Sequence, residues 1–284
     1  MPRLIHPERW RETCDPFALP YTDFQLLEVL GYPHAGNDVF QVRGLFRGQE
    51  TFAYIKAARQ QTATVGREAE LLPQLAGLPV PQVLDFDRAQ GRFLVTRELP
   101  GRRLSVIVGE NEGLASLDYM EEYGEALGRL HGQKPAVGPQ TDRSFHHPPT
   151  AEQLEKQGLR HLQPFFAYPP AAGETVFCHG DFHYANVLWQ EHRLSAILDL
   201  ELAGYGDRDF DIAWALFVRP GQRFLKTEDE RRRFLQGYRK HGDCDDAAIR
   251  YYTAQCYVHF LSFCDEADWC AHARAWLEEN CRAE

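Results

Sequence analysis

Residues 176–218, VFCHGDFHYANVLWQEHRLSAILDLELAGYGDRDFDIAWALFV, set polar residues in a fixed order between short apolar runs. The run 176–178 ends at His179-Gly180-Asp181. Asn186 follows five residues after Asp181, and Asp199 a further thirteen on. Between them, 187–189 and 194–198 are strand-like, and 190–193 is a polar turn. The stretch therefore reads as a loop, a tight hairpin and a second acidic residue at the hairpin's end.

That spacing has a chemical meaning. Phosphoryl transfer from ATP asks little covalent work of a protein. It needs a carboxylate to take or orient the acceptor's hydroxyl proton, and oxygen ligands to hold Mg²⁺ on the phosphates. Asp181 suits the first task, and Asn186 with Asp199 suits the second. The bland alternative is a set of turn formers or a structural cation site. H-x-D-x-x-x-x-N followed by a downstream Asp is similar to the kinase catalytic loop with its metal aspartate.

HGDFHYANVLW and AILDLELAGYGDRDFDIAWAL together resemble the aminoglycoside phosphotransferase/choline kinase-type family of small-molecule kinases. HGD stands where protein kinases have HRD, and Asp199-Leu200-Glu201 where they have DFG. The GDxxxDxA of Gly206, Asp207, Asp211 and Ala213 follows, as in the small-molecule family and not in protein kinases. The resemblance implies an α+β, two-lobed protein-kinase-like fold. Its N-terminal lobe, residues 1–99, is an antiparallel sheet with one main helix and binds the nucleotide. Its larger, mainly helical C-terminal lobe, residues 100–284, carries catalysis and the acceptor. His179 is expected to be a structural hydrogen-bonder and His183 to have a positioning role. Asp211 is expected to fix the catalytic loop through its backbone amides, with Asp207 helping. Glu201 is a candidate to assist the metal through water.

The rest of the resemblance lies upstream. Residues 24–30, 38–46 and 50–57 are β-like, the last two joined at Arg47-Gly48-Gln49. The Gly-containing segment GYPHAGND, 31–38, is a candidate flap over ATP phosphates, or a plain turn. In residues 52–56 alternation puts Tyr54 and Lys56 on one face. A strand lysine beside a nucleotide contacts α/β-phosphates. Tyr54 departs from the usual protein-kinase Ala, and resembles the base-stacking aromatic of the small-molecule family. A helix over 65–76 carries Glu68, which the resemblance assigns as the partner of Lys56; Glu70 is the rival. Pro73 kinks this helix or marks its end. Residues 92–98 form a strand broken by Leu99-Pro100-Gly101, the family's hinge. There Arg97 and Leu99 are candidates to read adenine through backbone groups, and Thr96 lies behind the base.

Helices are expected at 117–131, 151–166, 227–240, 246–264 and 268–280, the third opened by the capping box Thr227-x-x-Glu230. Residues 132–149 read as a loop. Seven cysteines, odd in number and without a CxxC, read as buried thiols. A zinc site among the C-terminal cysteines with His259 and His272 is the alternative. The start MPRLIHPERWRETC has no apolar core of signal-peptide length, and no run near the motif reaches the ~20 residues of a membrane helix. A cytoplasmic protein with no membrane partner is expected.

The net charge of −10 argues against a nucleic-acid partner. Residues 1–99 carry 11 basic and 12 acidic side chains, and residues 100–284 carry 20 and 29. The part expected to bind the acceptor thus holds nearly all the excess. This favours a cationic, aminoglycoside-like acceptor by long-range attraction, or reflects solubility alone. Asp265, Glu266 and Asp268 are candidate acidic contacts, or solvated helix ends. The expected activity is transfer of the γ-phosphoryl group of ATP, with GTP possible and Mg²⁺ as cofactor, to a hydroxyl of a small molecule. The alternatives are a housekeeping kinase for an amino alcohol, sugar or related metabolite, and a nucleotide-binding protein without transfer. The sequence leaves the oligomeric state open.

Overall fold

Alternating burial builds the first sheet. Two register shifts break the alternation of β1 (Phe24–Gly31), while in β2 (Asp38–Phe46) and β3 (Gln49–Ala57) one face is apolar and the other mixed. The computed structural model describes residues 14–33, 37–59, 65–75, 77–110, 116–222 and 224–281. The tip of the candidate flap, residues 34–36, lies outside the described residues. Arg47 and Gly48 both adopt left-handed backbone (φ 52° and 78°), the geometry of a two-residue hairpin turn. After α1 (Val65–Leu71) come β4 (Val83–Phe86) and β5 (Phe93–Arg97). The strands form one antiparallel sheet in the order β1-β2-β3-β5-β4. Phe40, Val42, Ala53, Ile55 and Val95 are fully buried on one face. Period-two alternation puts Tyr54 and Lys56 on the other face of β3, half-buried.

The chain clusters into two units, Met1–Gly101 with Ser195–Leu202, and Arg102–Leu194 with Ala203–Glu284. Ser195–Leu202 joins the first unit because its polar groups are satisfied there. Ile197 N–H donates to Pro79 O at 2.8 Å, and Ser195 Oγ–H to Pro100 O at 2.7 Å.

The second unit contains α2 (Leu104–Glu110), α3 (Leu117–His131), α4 (Ala151–Lys156) and α5 (Gln163–Phe166). β6 (Thr175–Cys178) and β7 (Val187–Gln190) follow, and the chain leaves the unit within β8 (Arg193–Ile197). It returns in β9 (Gly204–Asp207), which pairs with β6. Then come α6 (Arg208–Leu216), α7 (Glu228–Tyr238), α8 (Asp246–Leu261) and α9 (Ala267–Asn280). Thr227 caps α7 with its hydroxyl on the Glu230 N–H, and the Glu230 carboxylate takes the Thr227 N–H in return. Where α3 crosses α7, a Cβ added at Gly124 would lie 1.9 Å from Phe234 O, and one at Gly237 would lie 1.9 Å from Glu121 O. The two backbones touch, and only glycine permits it. The unit's core is aromatic, with Phe145 stacked on Trp214 at 4.3 Å and Phe217 packed on Phe260 at 4.9 Å.

Two of the helices expected from sequence are interrupted. The one expected over 65–76 ends at Leu71, and a 3-10 turn containing Pro73 follows, because proline cannot donate to the helix behind it. The one expected over 151–166 is broken at Gly158, whose φ of 68° is left-handed.

Candidate active site

The loop between β6 and β7 is held from beneath by one buried carboxylate. Asp211, in the first turn of α6, accepts the His179 N–H at 2.8 Å on Oδ2 and the Gly180 N–H at 3.1 Å on Oδ1. His131 of α3 reaches the same Oδ2 through Nε2 at 3.2 Å, and its Nδ1 meets Tyr238 OH of α7 at 2.8 Å. Burial alone would push Asp211 up, yet these hydrogen bonds and nearby imidazoles hold it below the ordinary carboxylate range. Gly180 sits at φ 78°, where a side chain would be strained. Asp207 caps α6 through the Asp209 and Phe210 N–H groups, and accepts Tyr252 OH at 2.9 Å. It braces α6, and through α6 the loop.

Asp181 emerges from this loop. Its Oδ1 accepts the Trp214 indole N–H at 2.8 Å. Asn186 Nδ2 donates to Asp181 O at 3.0 Å and to its Oδ2 at 3.2 Å. His183 Nδ1 accepts the Ala185 N–H at 3.3 Å, which leaves the ring proton on Nε2, 3.5 Å from Asp181 Oδ2. Burial opposes the Asp181 charge, but His183, Arg219 and His179 favour it, and the carboxyl is held at about 2. His183 is itself pushed below the ordinary histidine range, by burial first and by Arg219 second. His179 is fully buried and accepts the Asp181 N–H on Nδ1, a structural place.

In the first unit, Lys56 gathers three carboxylates. Its Nζ lies 2.6 Å from Glu68 Oε2, 2.5 Å from Asp199 Oδ1 and 3.5 Å from Glu201 Oε2. Burial would lower Lys56, and the three carboxylates reverse that and raise it. Glu68 is buried, and its Oε1 accepts the Leu200 N–H at 3.0 Å, while Glu70 faces solvent. Helix phase therefore selects Glu68 over its rival. Asp199 has a left-handed backbone, φ 63°, which Asp tolerates better than most residues. Glu201 accepts Asn37 Nδ2 at 2.7 Å, and burial raises it above the usual range.

The nucleotide candidates on the sheet are cross-strand neighbours. Tyr54 pairs in register with Thr96, and its OH lies 3.4 Å from Glu98 Oε1. The Arg97 guanidinium is tied to Thr51 Oγ1 at 2.7 Å and Gln82 Oε1 at 2.9 Å, so its side chain is spent within the sheet. The Arg97 and Glu98 N–H groups are taken by Gln82 O and Phe52 O, which makes Leu99 the first residue beyond the ladder. Asp265, Glu266 and Asp268 are exposed around the start of α9, the ordinary place for acids at a helix N-terminus.

Sequence reasoning missed Trp214, Arg219 and the His131–Tyr238 support. Trp214 lies within the DIAW run already singled out, three residues past Asp211 and so near it on a helix. That spacing was a usable signal; the others carried none. The cysteines are free among the described residues, and neither cluster of metal-type side chains there lies in the C-terminal helices.

The chain has a kinase-like α+β fold, sheet-based in its N-terminal part and helical in its C-terminal part. The sequence model of the phosphotransferase enzyme family matches residues 33–248, and the chain belongs to that family. It is a small-molecule kinase. An aminoglycoside 3′-phosphotransferase of Niallia circulans is 27% identical over 255 residues, 80% of this chain and 94% of the relative. Among solved structures, the amicoumacin kinase hAmiN, in complex with AMP-PNP, Ca²⁺ and Ami, superposes with a TM-score of 0.59 at 16% identity, covering 97% of this chain and 96% of that one. A choline/ethanolamine kinase family protein from Mesorhizobium loti gives 0.56 at 21% identity, covering 96% and 92%. Both share the fold. Among the described residues no helix is long and apolar enough to cross a membrane.

Proposed function

We propose that this enzyme moves the γ-phosphoryl group of ATP to a hydroxyl of a small cationic molecule, with Asp181 orienting that hydroxyl. The carrying observation is the Asp181–Asn186 pairing on a loop pinned by Asp211. Asp181 stays ionised through the neutral range, so it accepts the hydroxyl's hydrogen bond at any working pH. A carboxylate held this low is a weak base. It aligns the oxygen and takes the proton late, which suits a loose phosphoryl-transfer transition state.

The donor set fits a hard divalent cation. Asn186 spends its Nδ2 on Asp181, so its Oδ1 is available as a neutral oxygen ligand. Asp199 gives Oδ1 to Lys56 and keeps Oδ2. Asn186 and Asp199 would hold Mg²⁺, which when bound neutralises charge on the phosphates. Glu68 holds Lys56 for the nucleotide phosphates, Tyr54 and Thr96 flank the base, and the backbones of Arg97 and Leu99 read it. Residues 1–99 act as the nucleotide-binding lobe and 100–284 as the catalytic and acceptor lobe.

Two facts support a cationic acceptor: the acidic excess of residues 100–284, and the aminoglycoside in the name of the Niallia circulans relative. The test is ATP consumption, with Mg²⁺, against a panel of aminoglycosides, amino alcohols and sugars. Turnover is expected on a polycationic aminoglycoside and lost in Asp181→Asn, which still binds Mg-ATP. Turnover confined to an amino alcohol or sugar would replace the acceptor, and ATP binding without turnover on any of them would replace the enzyme with a binding protein. Mn²⁺-ATP binding followed by paramagnetic resonance, in Asn186→Ala and Asp199→Ala, checks the metal ligands.

A further inference from the structure

Among the described residues Arg219 is a buried cation without an ion-pair partner. It is 9% exposed, its Nη2 has no hydrogen-bond acceptor, and among the described residues no carboxylate forms an ion pair with it. Its one side-chain hydrogen bond is a long one, from Nη1 to Phe217 O at 3.3 Å. Desolvating a guanidinium this way is costly unless a nearby charge offsets it. The backbone is fixed as well, since Gln222 Oε1 accepts the Arg219 N–H and Gln222 Nε2 donates to Phe224 O.

What the guanidinium does touch is the Trp214 ring. Its Cζ lies 4.6 Å from that ring's centroid and 5.5 Å from that of Phe217. The same indole donates to Asp181 Oδ1 at 2.8 Å. Arginine, indole and catalytic carboxylate thus form one chain of contacts.

We propose that Arg219 is a positioning residue for Asp181: it clamps the Trp214 indole so that the indole N–H meets Asp181 Oδ1. The groups facing it are few. Asp181, Tyr123 of α3, Tyr184 of the loop and Cys256 of α8 surround Arg219. His183, His179 and Arg219 face Asp181. Tyr123 and Cys256 are raised by burial, and so are neutral at pH 7. His183 is lowered and neutral too, and His179 uses Nδ1 as an acceptor. The full positive charge in this set is Arg219. With Oδ1 held by the indole and Oδ2 by Asn186, and His183 Nε2 3.5 Å from Oδ2, Asp181 keeps few lone-pair directions for an incoming hydroxyl.

Only the catalytic consequence rests on the function proposed above; the contact chain is testable without an acceptor. The protein has five tryptophans. With ¹⁵N-labelled indoles, the Trp214 Nε1–H resonance is assigned by its loss in Trp214→Phe and read at pH 7, where its proton shift and hydrogen-exchange rate report the bond to Asp181 Oδ1. In the native chain it should lie downfield and exchange slowly. In Arg219→Met it should move upfield and exchange about tenfold faster or more, as a loosened hydrogen bond to a charged oxygen would. Arg219→Lys should keep most of the native shift. Asp181→Ala removes the acceptor, and adding Arg219→Met to it should change the resonance no further. If Arg219→Met does not fold by circular dichroism, Arg219→Gln takes its place with the same expectation. A folded Arg219→Met or Arg219→Gln whose Trp214 indole keeps its native shift and exchange rate overturns the proposal. So does a full further change when Arg219→Met is added to Asp181→Ala. Loss of Asp181→Asn turnover on the acceptor panel bears on the function alone.

Discussion

Asp211 Oδ2 accepts the backbone N–H of His179 at 2.8 Å, across thirty-two residues of chain. An amide at position 211 cannot accept through both arms, so Asp211→Asn leaves one loop N–H or His131 facing a second donor. We expect a loss of about 2–4 kcal/mol in stability, as for other broken buried charged networks, and a fall in kcat of at least about tenfold. Because Asp211 is held below its ordinary value, its contribution is complete above about pH 4 and disappears as pH falls through the lowered native value. Urea unfolding of both proteins between pH 7 and 3 should show the difference shrinking in acid.

Lys56→Met removes the cation from among Glu68, Asp199 and Glu201. Nucleotide-dependent turnover should fall about a hundredfold or more, and stability at pH 7 by about 3 kcal/mol, since three close carboxylates lose their common partner. Protonation relieves that repulsion, so the variant should regain stability relative to the native chain on going from pH 7 to 5. A deficit that stays constant over this range contradicts the account.

Glu201 behaves in the opposite sense to Asp211. Burial raises it, so folding prefers the protonated form, and the penalty for ionising it appears as pH rises through its native value. Glu201→Gln should therefore raise Tm at pH 7–8, by about 1–3 °C for a chain of this size, and not at pH 4 or below. Differential scanning calorimetry at the two pH values decides it.

Trp214→Phe keeps the aromatic packing against Phe145 but deletes the donor to Asp181 Oδ1. One lost hydrogen bond to a charged oxygen is worth about 1.5–3 kcal/mol. We expect kcat to fall by about ten- to a hundredfold with KM for ATP unchanged, because the contact is to Asp181, proposed above to orient the acceptor. A change confined to KM for ATP would place Trp214 elsewhere in the cycle.

The strands of the sheet and the loop carrying Asp181 and Asn186 were legible because both are local patterns. Period-two alternation in 38–57 put Tyr54 and Lys56 on one face, and HGDxxxxN with GDxxxDxA marked the loop and its support. Glu68 over Glu70 came from the family resemblance, with helix phase leaning the same way. Tertiary dependence hid the rest. Arg219 is defined by what it lacks, an ion-pair partner, and Tyr238 matters through a histidine 107 residues away. Helix α2 was not marked by caps, and β9 is a four-residue strand whose pairing with β6 no spacing predicts. The broken helix at Gly158 was missed because apolar positions continue on both sides of the glycine.

The bare crossing of α3 and α7 reaches further than packing. His131 leaves α3 seven residues past Gly124, and Tyr238 is the residue after Gly237. Their ring-to-hydroxyl contact at 2.8 Å is thus geared to an interhelical gap set by two missing methyl groups. One methyl at either glycine would wedge the helices apart, unhook Tyr238 from His131 and leave Asp211 with a loosened partner. The register of the Asp181 loop is, in that sense, tuned from a surface it never meets.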